Sequence, residues 1–477
     1  MKRCLALFCI LWMLQSQAQS YIARDIHSFG AKGDGKTDDH AAFEKASRFF
    51  NERGGFGKLI ISKGIYLVGK QVFNNSLPGK AVYAGYDVLH FENVRQMTIA
   101  GEKDAMLRFK RGLYFGAFDS LTGKPVSHNS NSFKGHRNGA FIGNCLYIGR
   151  SAGVRVSNLQ LDGNNDAFIL GGADTDGDRQ LAHYGIYIQD SRNVNIESIR
   201  AHHFGLDGIC IANSNTPIPD SILLRRCQFD SNARQGLSWI GGNNLNAQDC
   251  HFDGTGQGRF RSAPSAGVDI EGEEGAIANG VFESCTFIHN KRFGLVAHSG
   301  DSRACTFIDC TFWGVDSWAL WVSRPAFRFL RCRIFGAFVN GYDAETAAGA
   351  TTFKQCLFED KGYRGKPAFG DYLIETNNKR RVSFDSCRFI SHRSKLIWVA
   401  HDEQVPPDSY YRFTHCSMQM ANKDLPGGDF VAYFKGAYLQ GCSFRFTDKA
   451  AKQKRYRVLG FGDASVIDGG GNSIKYE

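Results

Sequence analysis

The sequence predicts an all-β chain wound into a right-handed parallel β-helix, with a capping helix near its N-terminus. Cysteine recurs in one local frame, and short apolar strands follow glycines in a second frame. The composition agrees, because glycine (54 residues) and phenylalanine (38 residues) are abundant while proline is scarce at 10. A fixed period of this kind indicates stacked supersecondary units. Each unit holds two or three short strands with no helix between them, so one turn of chain forms one coil.

The first frame is marked by a cysteine that an apolar residue usually follows two places later. Successive copies are 22–35 residues apart, and two earlier segments fit with Asn158 and Ser198 in the cysteine place. Because free cysteine packs as a small hydrophobic residue, we expect a reduced cysteine column in the core. Parallel stacking also aims neighbouring Cβ atoms the same way, which disfavours disulfides. The cysteines of the frame are Cys227, Cys250, Cys285, Cys310, Cys332, Cys356, Cys387, Cys416 and Cys442.

The second frame is a strand whose first and third residues after a glycine are apolar, which predicts one buried face. The frame begins at Gly185, Gly208, Gly236, Gly267 and Gly294, with Ala319 in the glycine place of a sixth copy. The second positions form a predicted outward column of Tyr187, Cys210, Ser238, Asp269, Val296 and Trp321. The fourth positions form another, of Gln189, Ala212, Ile240, Glu271, His298 and Ser323.

The segment "GAKGDGKT", residues 30–37, matches the phosphate-loop pattern G-x-x-x-x-G-K-[ST]. No buried apolar strand precedes it, and the Asp38 and Asp39 that follow would repel phosphate at a helix N-terminus. We therefore predict no nucleotide site and interpret the glycines as a turn before an amphipathic helix. That helix can cover the open N-terminal end of a β-helix. Its apolar residues are Ala42, Phe43, Ala46, Phe49 and Phe50.

Residues 1–18 have the features of a secretory signal peptide, with Lys2 and Arg3 before a short apolar run. We therefore expect a secreted or periplasmic protein. Residues 19–75 are predicted to form the N-terminal cap segment and 76–477 the coils with inserted loops, as one domain. No later stretch approaches the ~18 apolar residues of a membrane span.

The charge of the chain bears on its partners. The formal net charge is +10, or near +8 without the two cations of the predicted signal, and the basic residues are scattered. A scattered charge without an aromatic-basic signature argues against nucleic acid. It mildly favours an acidic partner.

The segment "IHSFGAKGDGKTDDHAAFEKA", together with the coil repeats, resembles the pectate lyase and polygalacturonase superfamily of right-handed parallel β-helix proteins. "NARQGLSWI" and "SAPSAGVDIEGE" are similar to an uncharacterised bacterial subgroup. The resemblance implies an extracytoplasmic protein that binds or cuts a polysaccharide. The Asn-Thr-Asp, Asp-Asp, Gly-His-Gly and Arg-Ile-Lys motifs of polygalacturonases are absent from the coil region, so hydrolysis by that machinery is not expected.

Asp269 and Glu271 are expected to point the same way from one strand, with His298 beside Glu271 on the next coil. Two carboxylates on one face can act as acid and base in glycoside hydrolysis. Asp207, just before the Gly208 strand, is a further catalytic candidate. The candidate substrate-binding residues are Arg234, Gln235, Lys291, Arg292 and Trp321.

A glycoside hydrolase is the leading hypothesis. A polysaccharide lyase acting on a uronic-acid glycan is an alternative, with Lys291, Arg292 or His298 as the base. A non-catalytic glycan-binding surface protein is another. Trp313, Trp318 and Trp321 either stack on sugar or pack under loops.

Insertions at 162–185 and 253–267 interrupt the coil rhythm and are expected to wall a groove. Asp174, Asp176 and Asp178 in "DTDGD" only partly match a calcium loop. We therefore predict no metal or other cofactor, with calcium as an alternative.

Overall fold

The computed structural model describes residues 20–77, 80–126, 141–171, 181–214, 220–336, 339–340, 347–360, 362, 370–376, 381–400, 407–421, 430–446, 457–459 and 466–476. These residues form a right-handed parallel β-helix, as predicted. The predicted signal peptide and the "DTDGD" segment lie outside the described residues.

The first sheet contains 19 strands, and its ladder pairs are parallel. Its strands are Ile22–Asp25, Asp34–Asp38, Gly55–Ile61, Gly64–Val68, Arg95–Gly101, Ala105–Phe109, Arg155–Asp162, Asn195–His202, Ile222–Arg225, Gln228–Asp230, Leu245–Gln248, Val281–Glu283, Thr306–Ile308, Arg328–Leu330, Thr351–Lys354, Val382–Asp385, Tyr411–Thr414, Ala437–Gln440 and Val466–Asp468. Strands within 19–75 pair directly with coil strands, so the cap segment and the coils share this sheet.

The second sheet contains 11 strands. They are Leu89–Glu92, Leu146–Gly149, Ile186–Gln189, Asp207–Ala212, Gln235–Asn243, Ala266–Ile270, Gly272–Ala278, Leu295–Ala297, Gly300–Arg303, Leu320–Val322 and Val339–Asn340. The third sheet has eight strands. They are Thr286–Asn290, Thr311–Gly314, Arg333–Phe335, Leu357–Glu359, Arg388–Ser391, Ser417–Met420, Ser443–Phe446 and Ser473–Tyr476.

Shorter sheets and turns complete the described fold. A four-stranded sheet holds Tyr372–Thr376, Lys395–Ala400, Phe430–Lys435 and Arg457–Leu459, a three-stranded one Gln71–Leu77, Lys80–Gly85 and Ala117–Phe118, and a two-stranded one Tyr114–Phe115 and Ile169–Leu170. Short 3₁₀ helices span Ile26–Phe29, Asn165–Ala167, Ala347–Gly349 and Pro407–Ser409.

From Cys285 onward, the predicted cysteine column lies where the chain turns from the first sheet into the third. The residue before each of these cysteines adopts a left-handed conformation, as at Ser284 (φ 54°) and Arg331 (φ 53°). All nine frame cysteines are buried and unpaired, which confirms the expected column. Their thiols contact backbone carbonyls at the corner, as Cys332 Sγ does at 3.4 Å from Phe307 O.

The frame assignment of the two earlier segments was wrong by one residue. Asn158 (φ 57°) and Ser198 (φ 54°) occupy the left-handed corner position, not the cysteine place. Ile199 aligns with Cys227, because Glu197 pairs with Arg225 and Arg200 pairs with Gln228. Leu159, the register partner of Ile199, fills the same place one coil earlier.

Phenylalanine ladders fill the interior behind the column. The rings of Phe282, Phe307, Phe329 and Phe353 stack on successive coils, with centroids 4.8, 4.9 and 4.7 Å apart. These spacings equal the distance between neighbouring strands of a sheet, about 4.8 Å. The repeated phenylalanine of the sequence is therefore a consequence of coil stacking.

The glycine frame is confirmed, because its glycines lie at the starts of strands of the second sheet. Its first positions pair across coils, as Leu237 pairs with Val268 and Val268 with Leu295. The glycine is needed where backbones approach closely, since a Cβ on Gly267 would lie 2.6 Å from the Phe252 carbonyl oxygen. One fourth position differs from the prediction, because a bulge pairs Ala212 with Gly241 rather than with Ile240.

The predicted capping helix spans His40–Glu52 and buries Phe43 and Phe50 in the core. The turn before it contains the strand Asp34–Asp38. Backbone N–H groups of the "GAKGDGKT" segment donate to carboxylates in or just after it, as Thr37 N–H does to Asp34 (2.7 Å) and Gly33 N–H to Asp39 (3.0 Å). These groups are therefore occupied within the turn.

Among the helices that the structure describes, none has the length and apolar character to cross a membrane.

Thiol titration of the unfolded protein tests the cysteine column. We expect most of the twelve described cysteines to react without prior reduction, because the buried thiols are unpaired. A sample reduced beforehand and freed of reductant gives the total for comparison. A titre below half of that total would contradict an unpaired column.

Candidate functional site

The predicted outward column exists on the outer face of the second sheet. Asp269 pairs with Ser238 on one side and with Val296 on the other, and Val296 pairs with Trp321. This face is nevertheless covered, because Asp269 is only 1% exposed and Val296 only 4%. Phe293, Trp318 and Trp321 contribute to that cover, because they pack in one hydrophobic cluster with Val296.

Asp269 is the chemically distinctive member of the column. Its carboxyl accepts a hydrogen bond from Gln235 Nε2, and its Oδ1 has no hydrogen-bond partner among the described residues. Burial raises the pKa of Asp269 well above its usual value, and the charge of Glu271 raises it further. The structure therefore favours a protonated carboxyl at this position.

Asp207 and Arg234 form a buried ion pair on neighbouring coils. The Arg234 guanidinium binds both carboxylate oxygens of Asp207, with Nε 2.9 Å from Oδ1. Asp207 is fully buried and the Arg234 side chain is 13% exposed. Each charge neutralises the other, so this pair stabilises the outer face and does not present Arg234 freely to a ligand.

The expected contact between Glu271 and His298 does not occur in the described structure. Beyond the strand, Gly272 pairs with Gly300, so one extra residue follows Val296 on the next coil. Glu271 Oε1 consequently accepts a hydrogen bond from Ser299 Oγ at 2.6 Å. His298 is exposed, and its Nδ1 lies 3.1 Å from Ser323 Oγ.

An aromatic patch, formed by Phe293, His298, Trp318 and Trp321, lies on the coils that follow Asp269 and Glu271. The Trp321 ring is 4.8 Å from Trp318, 5.5 Å from Phe293 and 4.4 Å from His298, centroid to centroid. Trp318 and Trp321 are half-buried, whereas Trp313 is fully buried elsewhere. The tryptophans thus divide between an accessible patch and the interior.

The remaining binding candidates lie apart from Asp269. Lys291 forms an ion pair with Asp316, and Arg292 is exposed beside it. Gln235, by contrast, is buried and donates a hydrogen bond from its Nε2 to Asp269. Among the described residues, Gln235 contacts Asp269, whereas no described contact joins Lys291 or Arg292 to Asp269 or Glu271.

A second polar cluster, which the sequence frames did not reveal, lies on the outer face of the first sheet. Asp162 pairs in register with Arg108 and with His202. Its carboxylate accepts a hydrogen bond from Arg108 Nε at 2.7 Å and lies within 4 Å of the Nδ1 atoms of His202 and His203. Burial lowers the pKa of His202 to about 4, which favours the neutral imidazole at neutral pH.

This cluster opens into a cleft of ≈ 550 Å³, which we call the Asp162 cleft. Among the described residues, the first predicted insertion lines this cleft through Asp166, and Arg259 of the second insertion donates to the Asp166 carbonyl at 2.8 Å. The sequence signal was the cationic run "RFKR" and the paired histidines, residues 202–203. The cleft is lined by Gly35, Leu67, Arg108, Phe109, Lys110, Arg111, Asp162, Asn164, Asp166, Ala167 and His203.

Comparison with known sequences identifies the coil repeats. Residues 144–324 match the family described as "Right handed beta helix region". The uncharacterized protein YclG of Bacillus subtilis is 27% identical over 133 residues, which cover 27% of this chain and 22% of that protein. The preneck appendage protein of Bacillus phage PZA is 25% identical over 237 residues, covering 47% of this chain and 22% of the appendage protein. The matched segments therefore span under a third of either relative.

Comparison with solved structures gives the same architecture. The pre-mature gene product 12 of bacteriophage phi29 superposes with a TM-score of 0.51 at 14% identity, covering 99% of this chain and 57% of that chain. The mannuronan C-5 epimerase AlgE6 A-module of Azotobacter vinelandii gives a TM-score of 0.45 at 12% identity, covering 96% and 99% of the two chains. The stacked coils and the matched repeats together show that the chain has the right-handed parallel β-helix fold.

Proposed function

We propose that the protein is an exported carbohydrate-active enzyme that holds a polysaccharide against the aromatic patch and hydrolyses it with Asp269 and Glu271. The observation that carries this proposal is the contrast between the two carboxyls. Asp269 is buried with a raised pKa, whereas Glu271 is partly exposed two residues further along the chain. Two carboxyl groups in unlike environments suit the separate roles of acid and base.

The chemistry follows from these environments. The Asp269 proton would pass to the glycosidic oxygen as the bond to the sugar breaks. Glu271 would either deprotonate a water molecule or attack the sugar carbon, which are the inverting and retaining routes. The Ser299 hydroxyl donates to Glu271 Oε1 and so orients that carboxylate.

The aromatic patch supplies a binding surface for sugar. Trp321 lies two coils from Asp269, at about 4.8 Å per coil, so neighbouring sugar residues of one chain could occupy both places. Export of the protein, through the predicted signal peptide at 1–18, would give it access to such a substrate.

A non-catalytic glycan-binding surface protein is the second candidate. It is favoured by the 1% exposure of Asp269, which a substrate would reach only if its cover moved. The similarity to phage appendage proteins fits a structural or binding role equally well. A polysaccharide lyase is distinguished from both by the unsaturated sugar that β-elimination leaves.

Replacement of Asp269 by Asn tests its protonation. The folded state holds a proton that the unfolded state loses above a pKa of about 3.9, so wild-type stability falls as pH rises through that value toward the raised folded pKa. The Asn variant lacks this loss. Above about pH 4, the free energy of unfolding of the variant minus that of wild type should rise by up to about 1.4 kcal/mol per pH unit. Denaturant unfolding at several pH values measures the difference.

Asp301→Asn is the matched control for that experiment, because Asp301 is exposed on the neighbouring coil. Its stability relative to wild type should stay nearly constant over the same pH range. An Asp269→Asn difference that is equally flat would show that the buried carboxyl is ionised in the folded protein.

Glu271→Gln tests the catalytic proposal. On a panel of neutral and acidic polysaccharides, the wild-type protein should release reducing ends without unsaturated product. The variant should lose at least about 100-fold in turnover, since it lacks a base or nucleophile. Glu273→Gln, at an exposed position of the same segment, should retain activity. Equal activity in all three proteins would remove Glu271 from the mechanism, and unsaturated product would favour a lyase.

Trp321→Ala tests the binding surface separately from the chemistry. Affinity for the polysaccharide that wild type binds should fall about tenfold, or about 1.4 kcal/mol, because an aromatic contact with sugar is lost. Trp398→Ala removes a half-buried tryptophan on a distant coil and should bind normally. Calorimetry with the Glu271→Gln background measures binding without turnover. Unchanged affinity of the Trp321 variant would place the glycan elsewhere.

A further inference from the structure

The Asp162 cleft brings together three side chains that the proposed hydrolysis does not use. Asp162 and His202 end neighbouring strands of the first sheet in register. His203 follows with φ 56°, a left-handed turn that returns its ring beside His202, with centroids 4.8 Å apart. The histidine pair therefore belongs to a built corner of the fold.

The ligand atoms of these residues converge on one point. The Nδ1 atoms of His202 and His203 are 2.6 Å apart, and each is within 3.8 Å of Asp162 Oδ1. The two Nδ1 atoms are at a hydrogen-bond distance in this structure, whereas a tetrahedral ion with bonds of about 2.0–2.1 Å spaces its ligand atoms by about 3.4 Å, so the rings would part by under about 1 Å as the ion enters. We infer that Asp162, His202 and His203 form a binding site for a divalent transition metal, with Zn²⁺ as the ion that fits best.

Neighbouring groups orient the ligands as a metal site requires. The Gln160 Nε2 atom lies 2.8 Å from His202 Nε2, and a half-turn of this amide places its oxygen there to accept the Nε2 proton, which leaves the Nδ1 lone pair free for a metal. Arg108 Nε binds Asp162 Oδ2, so Oδ1 is the oxygen that faces the two histidines. The Asp162 and His202 side chains are 8% and 5% exposed, which limits competition from water.

The donor set selects the class of metal. Two imidazole nitrogens and one carboxylate oxygen suit Zn²⁺ and neighbouring transition ions, whereas Ca²⁺ and Mg²⁺ prefer six or more oxygens. The set supplies three protein ligands, as in zinc sites that keep a position open.

The Asp162 cleft leaves one side of this metal site open. His203 is 41% exposed, and both it and Asp162 line the cleft. Arg108 and Lys110 also line the cleft, but they pair with Asp162 and with Asp38, so these carboxylates offset their charge. With three protein ligands, the fourth position of the ion faces this open side.

Metal binding to the full-length folded protein tests the inference. After chelator treatment and dialysis, the protein is titrated with Zn²⁺ alone and with Co²⁺ alone, and stoichiometry and affinity are measured by calorimetry and visible absorption. We expect one ion per chain and a tetrahedral Co²⁺ spectrum without thiolate charge-transfer bands, since the cysteines are buried. Saturating Zn²⁺ should also raise the melting temperature.

Variants locate the ion. His203→Ala removes a partly exposed ligand, so the protein should fold and bind Co²⁺ at least about 100-fold more weakly. Gln160→Ala should weaken binding about 10–100-fold through loss of an outer-shell partner. His251→Ala is the control, because His251 is an exposed histidine within 3.8 Å of Asp253 on the same sheet. Absence of one-to-one binding, or equal binding by the His203 and His251 variants, would overturn the site.

Discussion

Parallel stacking of successive coils in strict register is the constraint on which the rest of the structure depends. Strands of neighbouring coils lie about 4.8 Å apart, so each inward position must fit directly against its equivalent one coil away. Planar rings meet this condition well, as the near-parallel pair Phe307 and Phe329 shows, with 9° between ring planes. A residue that suits one coil therefore suits the next, and the sequence repeats for that reason.

The corner between the first and third sheets shows how the same constraint selects residue types. A left-handed residue at each corner costs about 1–2 kcal/mol when it is not glycine. The cysteine that follows is small enough for the crowded corner, and its thiol is a weak donor to carbonyls there. Cys356, for example, lies 3.4 Å from the carbonyls of both Phe329 and Lys354. Leu159 and Ile199 show that the earlier coils accept bulkier residues at this place.

Sequence periodicity predicted much of the strand register, apart from the one-residue slip at Asn158 and Ser198 and the bulge before Ala212, but it did not predict the exposure of the outer faces. The glycine frame correctly aligned Asp269 with Val296, because backbone pairing follows the apolar alternation. It could not show that chain segments cover this face, since cover depends on where loops return. It also missed the extra residue that places Ser299 beside Glu271, because insertions outside a strand leave no periodic signal. A one-residue slip in such a region exchanges one side chain for its neighbour.

The two polar clusters differ in how far the surrounding chain covers them, and this difference in exposure determines their chemistry. On the second sheet, burial raises the pKa of Asp269, which favours the protonated carboxyl, and Gln235 donates a hydrogen bond to it. On the first sheet, Asp166 lines the Asp162 cleft, and among the described residues His203 keeps access to solvent there. Coil stacking supplies both clusters by bringing together residues about one coil apart in sequence. The surrounding chain then decides which cluster is dry enough to shift a carboxyl pKa and which is open enough to admit an ion and its ligand.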